Sequence, residues 1–120
     1  MILSHKKLSA WYHSLAQQLE SGLMLTDALR LSRGTGLRAQ ELERMVAAIS
    51  AGGTVKDAFG AVSHRLPVAD RLVIISAAAA GRLPGLLHSL SDRHAQLGAA
   101  KLRTEPLCEK TERDFRKGDQ

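Results

Sequence analysis

An all-α fold, a compact bundle of about six antiparallel helices arranged as helical hairpins, is predicted for this sequence by three observations. Two stretches thirty residues apart, Gly22-Leu23-Met24-Leu25-Thr26-Asp27-Ala28-Leu29 and Gly52-Gly53-Thr54-Val55-Lys56-Asp57-Ala58-Phe59, repeat one pattern of Gly followed five residues later by Asp-Ala-apolar. Each reads as a helix stop and a helix start, because Gly takes the left-handed conformation that ends a helix and Asp in the next first turn faces unpaired N–H groups. Apolar residues recur at three and four residues between these turns, the helical period. Of 120 residues 44% are hydrophobic but only 3% are aromatic, so one core built on Leu, Ile, Val and Ala is expected.

The first helix is carried by Leu8, Trp11, Tyr12, Leu15 and Leu19 and closed by Gly22. A short second helix over 26–32 ends at Gly34-Thr35-Gly36. Leu42, Met45, Val46 and Ile49 give helix three its buried face, with Glu41, Glu43 and Arg44 placed outside, and Gly52-Gly53 ends it. Thr54 reads as an N-cap with Asp57 three residues on, in the spacing of a capping box. Helix four is brief, 55–62, and 63–66 reads as a loop. Pro67 is assigned to the first turn of helix five, where a missing N–H costs nothing. Helix five, 68–80, is the most apolar, with Leu72, Val73, Ile74, Ile75 and Ala77 to Ala80, and is expected to be central and covered on several sides until Gly81 stops it. A sixth helix about Pro84 carries Leu83, Leu86, Leu87, Leu90, Leu97 and Leu102 at helical spacing, to about Arg103; residues 1–103 form the domain, and the polar stretch 104–120 is expected to be frayed or disordered.

Charge and cysteine usage narrow the function classes. Residues 1–100 hold 11 Lys+Arg against 7 Asp+Glu, dispersed as on solvated helix faces, with an acidic partner or an anionic surface as the functional alternative. The lone Cys108 excludes an internal disulfide, and no apolar run is long enough to span a bilayer. Gly52 to Asp57 lacks the Gly-Lys-Ser/Thr ending of a phosphate loop, since Asp57 stands where the hydroxyl belongs. The five histidines never sit at i, i+4, so a helical metal pair is unsupported, and they read as surface or partly buried. Asp27 and Asp57 read as twin helix starts, not as an acid pair. No catalytic, metal or cofactor site is expected.

Trp11 to Leu29, aromatic then Leu15-Ala16 then Gly22-Leu23-Met24-Leu25 and Ala28-Leu29, resembles the opening of the F-protein domain of type II secretion systems, shared with type IV pilus assembly platform proteins. Met24 stands where a proline is usual. The resemblance continues through Gly52 to Phe59, Leu66-Pro67 and Gly81-Arg82-Leu83, and covers about residues 8–103. One departure is clear: Ala78 replaces the habitual Glu of a Gly-Glu-x-Ser-Gly-x-Leu signature, so no divalent-cation site is expected there. The resemblance implies a non-catalytic domain on the cytoplasmic side of the bacterial inner membrane, in contact with a secretion or pilus assembly ATPase and other platform proteins, with a homodimer among its partners. Arg30, Arg33 and Arg38, around the Gly34 to Gly36 loop, are the expected partner-binding residues; Gly22, Asp27, Gly52, Thr54, Asp57 and Gly81 are the structural turns and caps. The competing reading is a basic helix-turn-helix-like nucleic-acid-binding domain built on helices two and three, against which the acidic Glu41 and Glu43 count.

Overall fold

The computed structural model describes residues 2–107, and among them it has six α-helices and no strand. They are α1 (His5–Glu20), α2 (Leu25–Leu31), α3 (Ala39–Ser50), α4 (Val55–Gly60), α5 (Val68–Ala79) and α6 (Leu83–Leu107), with a single 3-10 turn at Ser63–Arg65. Neighbours in sequence are neighbours in space: α1 packs on α2, α2 on α3, α3 on α4, α4 on α5 and α5 on α6. The circuit closes where α6 lies along α1, the most extensive pairing in the fold. Trp11, Tyr12 and Phe59 fill its centre with Leu8, Leu15, Leu29, Leu42, Met45, Leu66, Ile74 and Leu87, all fully buried.

The repeated turn is one device used three times. Gly22, Gly52 and Gly81 have φ of 94°, 95° and 74°. Behind each, the amide of the following residue bonds back five positions: Leu23 to Gln18, Gly53 to Ala48 and Arg82 to Ala77, the six-to-one bond of a Schellman stop. The two helix starts after Gly22 and Gly52 match in backbone but differ in side chains. Thr54 Oγ1 accepts from the Asp57 amide at 3.4 Å and Asp57 Oδ2 accepts from the Thr54 amide at 2.9 Å, a complete capping box. At the equivalent position Met24 offers no acceptor, and Asp27 contributes only its charge to the first turn. Met24 is 71% exposed, so a capping side chain fits there without repacking. Met24→Thr should therefore stabilise the fold by about 0.5–1 kcal/mol and Thr54→Ala should weaken it by about 1 kcal/mol; equal denaturation midpoints for both variants and the parent would contradict this account of the turns.

Five expectations need correction. Helix five is not central: only Asp70 and Ile74 are buried along it, while Val68, Leu72 and Val73 stand 61%, 63% and 42% exposed. Its hydropathy measures how much cover it wants, and the described residues supply cover on one side, mainly from α4 and α6. Glu41 is not an outward residue of α3 but is buried, because its carboxylate folds back to accept from the Arg38 amide at 2.9 Å and meets Arg65 Nε at 3.3 Å and His64 Nε2 at 3.6 Å. Pro67 is the N-cap of α5 rather than its first helical residue, with extended φ and ψ of −61° and 144°. The stretch read as a loop at 63–66 contains the 3-10 turn, and α6 runs through Leu107 rather than ending near Arg103. The remainder of the expected polar tail, from Cys108 on, lies outside the described residues.

Candidate interaction site

The loop between α2 and α3 is pinned from within. Buried Ser32, the C-cap of α2, donates to the Ala28 carbonyl at 2.9 Å and meets Ser14 Oγ of α1 at 3.1 Å, while Thr35 Oγ1 donates to the Ser32 carbonyl at 2.8 Å. Gly36 lies against α1 so closely that a Cβ there would come within 3.3 Å of the Lys7 carbonyl and of Leu3 Cδ1. A residue without a side chain lets the loop press onto the first turns of α1, and this brings Lys7 beside the loop.

The result is a concavity of about 480 Å³ lined by Lys7, Arg33, Arg38 and the backbone from Gly34 to Ala39, with no acidic residue in its lining. All three cations are exposed, and among the described residues none of them has an ion-pair partner. Arg30 stands apart from this group: its Nε is held 3.3 Å from Glu43 Oε2, an exposed pair that links α2 to α3. The structure thus brings Arg33 and Arg38 together, ties Arg30 to its own fold, and adds Lys7. Lys7 had no sequence signal as a partner of Arg33, because the two are joined only through the docking of Gly36 on α1.

A second polar cluster escaped the sequence reading altogether. Tyr12 Oη of α1 donates to Asp70 Oδ2 of α5 at 2.9 Å, and His94 Nε2 of α6 donates to the same oxygen at 2.7 Å. His94 Nδ1 lies 2.8 Å from His5 Nδ1, so one of these two nitrogens carries the bridging proton. Asp70 and His94 are 3% and 4% exposed, so His94 departs from the expectation of surface or partly buried histidines, while His5, His13, His64 and His88 are partly buried or exposed as expected. Burial pushes the Tyr12 phenol well above its ordinary range, and the Asp70 carboxylate adds to the push by its charge and by accepting the hydrogen bond. The phenol therefore remains a donor, and the cluster works as a clasp joining three helices.

Beside the clasp a groove of about 1030 Å³ runs between the start of α1 and α6, with His5, His94, Ser9, Ser91 and Asp92 among its polar lining. The Ser9 and Ser91 hydroxyls bond each other at 3.3 Å, and Ser91 donates to the Ser9 carbonyl at 2.8 Å. Neither hydroxyl is hydrogen-bonded to an imidazole among the described residues. Nor do three His, Cys, Asp or Glu residues converge to hold a metal among the described residues. No described helix is long and apolar enough to cross a membrane.

No curated protein sequence matches the chain. The family model described as type II secretion system (T2SS), protein F, matches residues 11–104, which span every helix from the middle of α1 to the last turns of α6 and all three Schellman turns. This chain belongs to the type II secretion system protein F family.

Proposed function

We propose that the chain is a contact domain of an inner-membrane platform protein for type II secretion or type IV pilus assembly, working on the cytoplasmic side by binding the assembly ATPase and other platform components and not by catalysis. Family membership supports the machine; the observation that carries the contact face is the convergence of Lys7, Arg33 and Arg38 on one concavity with no acidic lining and, among the described residues, no ion pair. Unpaired cations on a surface cost little to keep and attract carboxylates of a partner, where they chiefly set association rate and partner choice. Arg30 is left out of that face, since Glu43 already neutralises it.

Capture of the purified cognate ATPase by the immobilised chain tests the reading. Arg33→Glu combined with Arg38→Glu should lower capture by about tenfold at low salt, with the helical circular dichroism unchanged because both side chains are exposed. Arg30→Glu should lower it less. Equal capture by the double variant would remove the basic concavity from the function. Duplex DNA is the control for the helix-turn-helix alternative, and sequence-selective binding at ~150 mM salt would overturn the platform reading in its favour. Glu43 on the exposed side of α3, paired with Arg30, argues against that outcome.

A further inference from the structure

The seam between α1 and α6, which closes the helical circuit, is built of matched polar pairs. Going up α1 in steps of four and down α6 in steps of three, His5 meets His94, Ser9 meets Ser91 and His13 meets His88. Such steps keep each set on one face of its helix. The two histidine pairs differ in their chemistry. His13 and His88 meet edge to ring with centroids 5.7 Å apart, and His88 Nε2 lies 2.8 Å from Glu20 Oε1, so a charge on His88 has a carboxylate beside it. His5 and His94 are stacked with centroids 5.1 Å apart, and their Nδ1 atoms face each other at 2.8 Å.

We infer that this contact between two Nδ1 atoms is a pH-sensitive latch, which holds the start of α1 to α6 and releases it in mild acid. The argument is a count of protons. His94 Nε2 is committed as a donor to Asp70 Oδ2, so at the other side of the ring one proton has to lie between the two Nδ1 atoms, on His94 or on His5. Either arrangement leaves the pair with at most one positive charge, held beside the Asp70 carboxylate. Full protonation of both rings puts a hydrogen on each Nδ1, and two donors then point at one another across 2.8 Å. The contact must part, and His5 is the member that moves: it is half-buried in the first turn of α1, whereas His94 is 4% exposed and tied to Asp70. The surrounding groups do not offset the second charge. Tyr12 of α1 and Asp70 of α5 face His94, and the Asp70 oxygen is already shared between two donors. In the adjoining groove Lys6 and His13 of α1 bring no negative charge, and Asp92 of α6 is ion-paired to neither ring. The released form thus binds one more proton than the latched form. By linkage the latch is whole above the range in which imidazoles ordinarily titrate and is lost as the pH falls through it. This inference stands on the seam alone and is independent of the basic concavity.

Measurements on the full chain at about pH 7.5 and about pH 5 test the latch, in a window that covers imidazoles and stays above the ordinary carboxylate range. Spin labels on Ile2→Cys and Gln96→Cys, both exposed positions, in a Cys108→Ser background, report the distance between the start of α1 and α6. One narrow distance is expected at the higher pH and a longer, broader distribution at the lower, the ratio of released to latched chain rising by up to about tenfold per pH unit. His5→Asn keeps a donor and an acceptor near the Nδ1 position but does not titrate. With this change the narrow distance should persist at both pH values, and the urea midpoint should hold where that of the parent falls. His13→Asn, in the second pair, should behave as the parent does. A distance distribution in the parent that is the same at both pH values overturns the inference. So does an equal acid response in His5→Asn, which would assign the response to another group, and so does its disappearance in His13→Asn, which would move it to the second pair.

Discussion

Asp70→Ala should lower the unfolding free energy by about 3–5 kcal/mol, the largest loss expected from a polar substitution in this protein. One carboxylate oxygen, Asp70 Oδ2, accepts from Tyr12 Oη at 2.9 Å and from His94 Nε2 at 2.7 Å, and both donors lie in side chains that are essentially buried. Removing it strands two donors away from water, and each stranded group costs about 1–3 kcal/mol. It also frees the His94 ring, through which His5 is held to α6. Asp70→Asn is the discriminating control, because an amide oxygen in the same place can still accept from both donors; it should cost much less. Tyr12→Phe removes one donor and leaves the oxygen bonded to His94, so a loss of about 1 kcal/mol is expected. Urea denaturation followed by helical circular dichroism measures all three. A loss for Asp70→Ala no greater than that for Tyr12→Phe would show that the clasp is not an energetic unit.

The clasp also marks the boundary of what the sequence could reveal. The helix stops were legible because their cause is local: Gly22, Gly52 and Gly81 each directly follow the C-cap of a helix, where a left-handed residue is needed, and all three have that conformation. The capping box at Thr54 and Asp57 was legible for the same reason, both members being within one turn. Asp70 and His94 are 24 residues apart, and His5 and His94 are 89 apart, so no spacing rule joins them. The misplacement of Glu41 has the same origin, since the Arg65 that meets its carboxylate arrives from the 3-10 turn after α4. For α5 the hydrophobic content was plain in the sequence, but hydropathy does not say whether the cover comes from the same chain. The basic concavity was half legible: Arg33 and Arg38 flank the Gly34 to Gly36 loop in sequence, Lys7 joins them only through the fold, and the Arg30–Glu43 pair could be known only once α2 and α3 were packed.

Gly53→Ala should destabilise the protein by about 1–3 kcal/mol, and it should do so although Gly53, unlike its neighbour Gly52, has no left-handed backbone to lose. A Cβ at Gly53 would lie 2.6 Å from the Ala48 carbonyl oxygen and 2.9 Å from Asp57 Oδ2. The first is backbone and cannot swing aside; it is also the oxygen that accepts the Gly53 amide at 2.9 Å to close α3. The second is the carboxylate oxygen that completes the capping box on Thr54. One methyl group therefore presses at once on the stop of α3 and the start of α4. Leu23, at the equivalent point of the first turn, is tolerated where Met24 forms no capping box, so no acidic side chain folds back there. At Gly52 the space is open, and Ala would meet only the strain of φ 95°, about 1–2 kcal/mol. The two glycines are separated by combining each change with Thr54→Ala and Asp57→Ala. Loss of the capping box should relieve part of the Gly53→Ala penalty and none of the Gly52→Ala penalty, because only the first methyl contacts the Asp57 carboxylate. Thermal melting measures the difference, with 1 kcal/mol worth about 4–8 °C in a domain of this size. Additive losses in the Gly53→Ala series would show that the carboxylate yields freely and that the Ala48 carbonyl alone sets the cost.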